Sequence, residues 1–193
     1  MSKGLKITLI VVAVVAVVGF MIASWLMTGY NTVVTMDEEV KNRWAQVDNQ
    51  LKRRYDLIPN LVETVKGYAT HERETFEKIA EYRTQYFQQK DIGGKIKASN
   101  QLEGVLSRLL MLQESFPQLK ANESFLKLQD SLEGTENRIA VERMRYNESV
   151  KALNAYTRTV FGKIFAAVAG VQQAAYYDVP EAQKEAPKVN FNK

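Results

Sequence analysis

The run ITLIVVAVVAVVGFMIASWLM, residues 7–27, carries no charged side chain over 21 positions. As a helix rising 1.5 Å per residue it spans roughly 30 Å, the thickness of a bilayer's hydrocarbon core. Inside lipid a single segment can satisfy its own backbone only as a helix. Trp25 and Tyr30 then fall at the far interface, where amphipathic rings are favoured. A cleaved signal peptide is the alternative reading. Its apolar region would be unusually long, and Ala23-Ser24 makes a poor cleavage site, so the anchor is preferred. Lys3 and Lys6 precede the run, and Lys41 and Arg43 follow only after Asp37, Glu38 and Glu39. Counting basic residues alone, this leans toward a cytoplasmic N-terminus, which gives a single-pass protein of the inner cell membrane with an extracytoplasmic bulk. Gly19 and Ala23 form a small-xxx-small pair, but such pairs arise by chance in an Ala/Val-rich span.

Beyond Val40 apolar residues recur every three or four positions. One line is Trp44, Leu51, Ile58, Val65, Ile79 and Tyr86, and a companion line is Val40, Val47, Tyr55, Val62, Ala69 and Phe76. Together they read as one helical seam of about seven heptads. DIGGK, residues 91–95, breaks the seam with two glycines. A second helix follows, with Leu102, Val105, Leu106, Leu109, Leu110 and Leu112 on a broad face. Phe116-Pro117 ends it, because a residue before proline avoids the helical region. Asn122 is an N-cap for a third helix with the seam Phe125, Leu128, Leu132, Ile139, Tyr146, Val150, Leu153 and Val160. Gly162 loosens its end, and a shorter helix is expected from Lys163 to Tyr177. The polar, proline-bearing residues from Asp178 read as an extended or disordered tail.

The expected fold class is therefore all-α: an N-terminal transmembrane helix, then an antiparallel bundle of three long helices plus a shorter C-terminal helix. The corresponding divisions are a flank at 1–6, the span at 7–27, a juxtamembrane linker at 28–36, the bundle domain at 37–177 and the tail at 178–193.

Pro59 lies inside the first seam. An internal proline removes one hydrogen bond and clashes with the carbonyl four residues back, here that of Tyr55, at about 3 kcal/mol. The seam keeps its phase from Leu51 through Ile58 to Val65, which favours a kinked continuous helix. The alternative makes Asp56 an N-cap, with Pro59 in the first turn of a new helix. Arg54, Glu72, Thr135, Glu142 and Arg143 occupy seam or near-seam positions. Either their long side chains reach the bundle edge, or they form a buried network that fixes helix register. Arg138–Glu142, Arg73–Glu77 and Glu74–Lys78 are spaced as i,i+4 ion pairs.

Lys and Arg total 26 against 22 Asp and Glu, a net charge of +4, and the densest basic cluster is only Lys52-Arg53-Arg54. That is no nucleic-acid footprint. Without cysteine there is no disulfide, thiolate site or thiol catalysis. His71-Glu72 has half of a zinc-protease motif, but Thr75 stands where the second histidine belongs and His71 is the one histidine of the chain. It is read as a surface or seam residue, not a metal ligand. No nucleophile with a histidine base, phosphate loop or Glu-x-x-His spacing is present, so neither an enzyme nor a cofactor is expected.

Three blocks in order, NRWAQVDNQLKRRYDLIPNLVETVKGYATHERE, SFPQLKANESFLKLQDSLEGTENRIAVERMRYNESV and EAPKVNF, make the chain resemble the bacterial LemA family over nearly all of its length after the apolar run. One departure is VFGKIFA, where the family often has Phe-Pro and this chain has Phe161-Gly162. The resemblance implies a membrane-anchored helical bundle with no established activity, loosely associated with envelope and stress functions, and transfers no catalytic residue. Arg53, Arg54, Asp56, Pro59, Asn60, Glu136, Asn137, Arg138, Tyr146 and Asn147 lie in the matching blocks. They are the candidate structural or partner-binding residues. The function expected is a scaffold or adaptor at the cell envelope, with the lipid bilayer and envelope proteins or further copies of the chain as partners. The alternative is a sensor or ligand-binding module using a pocket near Pro59.

Overall fold

The computed structural model describes residues 3–69 and 71–178. Among them are six helices and no strand: α1 (Lys3–Lys66), α2 (Arg73–Gln88), α3 (Ile92–Ser115), α4 (Pro117–Lys120), α5 (Glu123–Thr157) and α6 (Val160–Ala169). The all-α bundle behind an N-terminal apolar helix is thus as the sequence implies. The tail from Val179 lies outside the described residues. The chain divides into two compact units, one of residues up to Lys41 with Glu148–Ala174, the other of Asn42–Asn147 with the residues from Ala175.

In the first unit the apolar run is helical and its large side chains are exposed. It is long and apolar enough to cross a membrane. Residues 28–36 are helical too, within α1. Val33, Val40, Val150, Leu153, Phe165 and Ala166 are buried. Gly29 lets α6 approach: a Cβ there would stand 2.2 Å from Phe165 Cε2. The Phe165 ring in turn meets Trp25 at 5.2 Å.

In the second unit the C-terminal half of α1 is central. Phe76 lies beside Lys66, Arg83 beside Tyr55 and Tyr86 beside Asp48, so α2 runs back antiparallel to α1. Lys95 meets Asp48 and Glu103 meets Arg54, so α3 runs parallel to α1. Asn122 meets Tyr68, Glu136 meets Arg54 and Tyr146 meets Trp44, so α5 is antiparallel to it. Tyr55, Leu51, Ile58, Leu61, Ile79, Tyr86, Leu102, Leu106, Leu109 and Phe125 fill the core.

Three expectations need correction. The first seam is not one helix: α1 ends at Lys66 and α2 starts at Arg73. Both helices face their apolar stripes to one core, so periodicity alone does not reveal the reversal after Gly67. Gly93 and Gly94 do not form the break. They lie in the first turn of α3, and Asp91 caps it by accepting from the Gly94 amide at 2.6 Å. Gly162 does not end α5, and the short helix does not run from Lys163 to Tyr177. α5 stops at Thr157, Thr159 caps α6 by accepting from the Gly162 amide at 3.0 Å, and α6 ends at Ala169. Gly170 closes it at φ 68°, a left-handed conformation suited to glycine. A Cβ on Gly162 would stand 2.0 Å from the Tyr156 carbonyl oxygen, so the tight turn needs a glycine there. Residues 171–178 then run non-helical, and Val160 is exposed rather than seated in the α5 seam.

By contrast, α3 ends at Ser115 with Phe116 as its cap before Pro117, and Asn122 caps α5 by accepting from the Phe125 amide at 3.0 Å. α1 is continuous through Pro59, so Asp56 is not an N-cap.

Candidate functional site

Arg54 is buried at the centre of the second unit. Its Nη2 donates to Glu103 Oε2 at 2.7 Å, and its Nη1 meets Glu136 Oε2 at 2.8 Å and the Leu132 carbonyl at 3.1 Å. Three helices, α1, α3 and α5, are thereby tied through one guanidinium. A planar donor fork suits this better than a lysine ammonium. Thr135 Oγ1 donates to the same Leu132 carbonyl at 2.7 Å. The reading of a buried network at Arg54 and Thr135 therefore describes these positions, while Glu142 pairs with Arg145 at 2.7 Å. Arg138 instead donates to the Gly134 carbonyl at 3.0 Å. The pairs Arg73–Glu77 and Glu74–Lys78 are formed.

The cluster borders a cavity of about 440 Å³ whose polar rim is Arg54, Asn100, Glu103, Glu136, Arg143 and Tyr177. Arg54 Nε and Glu103 Oε1 are buried there without a protein partner. Burial pushes the Glu103 carboxyl up to about 7, against the opposing pull of Arg54. Beside it runs a line of buried hydroxyls: Tyr55 Oη donates to Ser99 Oγ at 2.7 Å, and Ser99 Oγ lies 2.6 Å from Tyr177 Oη. Burial pushes the Tyr177 phenol up to about 12. The Arg143 guanidinium lies over the Tyr177 ring, 5.4 Å from its centroid.

A second buried carboxylate, Asp48, accepts from Tyr86 Oη at 2.6 Å and Lys95 Nζ at 2.8 Å, and pairs with Lys52 at 2.7 Å. Burial opposes its charge, but these three donors outweigh burial and hold the carboxyl below its usual range.

Asparagines hold the non-helical segment after α6. In the first unit Asn154 Nδ2 donates to the Ala174 carbonyl and its Oδ1 accepts from the Ala174 amide, both at 2.9 Å. In the second, Asn147 does the same for Tyr177, at 3.0 and 2.8 Å. Tyr146 Oη adds a bond to the Ala175 carbonyl at 2.7 Å. Each asparagine side chain thus pairs with a peptide as a neighbouring strand would.

Of the sequence candidates, Arg54 and Glu136 come together in the charged cluster, and Tyr146 and Asn147 hold the C-terminal segment. Arg53, Asn60, Asn137 and Arg138 are exposed. Asp56, also exposed, lies 3.7 Å from Arg83. Pro59 lines a smaller cavity of about 250 Å³ with Ile58, Phe76 and Arg83. His71 is exposed in the turn between α1 and α2. Sequence reasoning missed Glu103, Asp48, Ser99, Tyr177 and Asn154. A buried arginine implies a carboxylate partner, but nothing in the spacing says which of the many glutamates supplies it. Among the described residues no three His, Asp or Glu side chains converge as a metal site.

An apolar N-terminal helix that fits a membrane anchor, followed by a helical bundle with a charged interior, defines an all-α protein. The chain belongs to the LemA family, whose model matches residues 43–191. It is 28% identical over 203 residues to magnetosome proteins MamQ 1 and MamQ 2 of Paramagnetospirillum magneticum, covering 92% of this chain and 74% of each relative. It is also 21% identical over 155 residues to protein LemA of Metamycoplasma hominis, covering 80% of this chain and 71% of that protein.

Proposed function

We propose that the protein is a non-catalytic scaffold or adaptor, held by α1 at the inner membrane of a bacterial envelope with its bundle on the extracytoplasmic side. The observation that carries this reading is the outer stripe of α5. Asn137, Val141 and Met144 stand at i, i+4 and i+7 on one face and are exposed, while the opposite face is spent on the core. An exposed apolar pair beside a polar amide on a rigid helix is suited to a partner helix laid along it. The test is photo-crosslinking in native membranes from a reactive residue placed at Val141 or Met144, with Lys127, exposed on the same helix, as control. Discrete protein adducts from the stripe alone support the scaffold. Equal, diffuse labelling from all three sites contradicts it.

A second reading is a ligand-binding module. The unpaired Arg54 Nε and Glu103 Oε1 beside the 440 Å³ cavity favour it, because buried polar atoms are ordinarily satisfied. A small polar molecule retained by protein purified from native membranes, and lost in Arg54→Met, would favour this reading.

A further inference from the structure

α6 is apolar on both sides. Its inner face, with Gly162, Phe165 and Ala166, is buried in the first unit. Its outer face carries Val160, Ile164 and Val168 at i, i+4 and i+8, with Phe161 alongside. These are 77%, 56%, 72% and 56% exposed respectively. Four large apolar side chains on one ten-residue helix form an outer stripe that water disfavours.

What lies beside that stripe follows from the ring contacts of α6. Phe161 and Phe165 meet the Trp25 ring edge-on at 5.0 and 5.2 Å, and Phe165 fills the space left by Gly29. Tyr156 Oη donates to the Gly29 carbonyl at 3.3 Å. Trp25 and Gly29 bracket Met27, where the strongly apolar run gives way to the more polar Thr28, Gly29, Tyr30, Asn31 and Thr32, and lie within about 6 Å of one another along the helix axis. When residues 7–27 fill the hydrocarbon core, α6 is therefore held at the boundary between acyl chains and headgroups. Lys163 on the flank of the stripe and Arg158 just before the helix are exposed, within reach of lipid phosphates.

We infer that α6 is a second membrane contact, an interfacial helix whose Val160, Phe161, Ile164 and Val168 enter the boundary layer of the bilayer that α1 spans. This rests on the apolar run of α1 lying in a bilayer. It adds that the chain touches the same leaflet twice, through segments about 130 residues apart, which would restrict how the protein tilts on the membrane.

The native chain has no cysteine, so single reporters can be placed cleanly. The full chain carrying Ile164→Cys, Val160→Cys or, as control, Lys151→Cys is labelled with an environment-sensitive fluorophore. It is then reconstituted into phosphatidylcholine–phosphatidylglycerol vesicles and floated on a density gradient. Brominated acyl chains should quench the labels at 160 and 164 several-fold more than the label at 151, and aqueous iodide should do the reverse. Flotation with iodide-accessible labels at 160 and 164 overturns the inference while leaving the anchor intact. Labels shielded from both quenchers show a second protein copy on the stripe, which also overturns it. Failure to float removes the anchor and the inference together.

Discussion

Arg83 Nε donates to the Tyr55 carbonyl oxygen at 3.0 Å, and Tyr55 owns the carbonyl that Pro59 deprives of its helical donor. A side chain from α2 thus satisfies the helix where proline breaks the ladder, and ties the two helices at that level.

The two residues should therefore be energetically coupled. Arg83→Met should cost about 1–2 kcal/mol in the native background, the usual penalty for orphaning a buried acceptor. In a Pro59→Ala background the new amide takes over the carbonyl, and the same change should cost little. Chemical unfolding of the four proteins of this cycle in detergent, followed by far-UV circular dichroism, measures the coupling. Additive effects would mean that Arg83 does not serve the proline.

Glu103 should make stability fall as pH rises toward neutrality. Its folded carboxyl, pushed up to about 7 from an ordinary 4.5, keeps a proton that the unfolded chain has released. Between those values the folded state binds more protons, so unfolding free energy declines with pH. The full effect is about 3 kcal/mol at most, at roughly 1.4 kcal/mol per tenfold change in proton affinity. Glu103→Gln should flatten the profile in that window. A Gln variant with the native slope would place the titration elsewhere.

These two sites show what the sequence could and could not convey. Proline's missing donor and the seam position of Arg54 are local facts, legible from Tyr55, Pro59 and the heptad phase. Their partners, Arg83 and Glu103, sit 28 and 49 residues away and look like any other surface charges until the helices are packed. Caps behaved similarly. Asn122 and Phe116-Pro117 mark helix ends by their own chemistry, whereas Gly67 is one weak signal in an uninterrupted heptad register. Gly162 was legible as a break but not as the first turn of α6, because its need for glycine arises from the Tyr156 carbonyl. The apolar spacing alone predicts a helix that ends at Tyr177. The Tyr177 carbonyl and amide are instead bonded by Asn147, 30 residues earlier.

Removing the side chain of either asparagine should free its part of the C-terminal segment. Asn147→Ala leaves the Tyr177 amide and carbonyl unpaired, and Asn154→Ala does the same at Ala174. Amide hydrogen exchange should accelerate more than tenfold at the residue concerned, with α2 and α3 unchanged. Unaltered exchange at Tyr177 in Asn147→Ala would mean that burial of its ring alone holds the segment.

Gly29→Ala should disturb α6 without unfolding the second unit. The added methyl would stand 2.2 Å from the packed Phe165 ring, which must then shift in its contact with Trp25. Overpacking of this kind costs about 1–3 kcal/mol. The readout is a red shift of Trp25 emission, recorded with Trp44→Phe to isolate it. Unchanged emission would show that Phe165 has room to yield.

The central claim, that this LemA-family chain is an anchored scaffold, is tested most directly by its mass and composition after purification from native membranes in mild detergent. The expected result is an assembly well above one chain plus its micelle, containing stoichiometric partner proteins or further copies, that disperses when Val141 and Met144 are both changed to Glu. A monodisperse single chain without protein partners, carrying a small molecule released by Arg54→Met, would contradict the scaffold and leave the ligand-binding reading in its place.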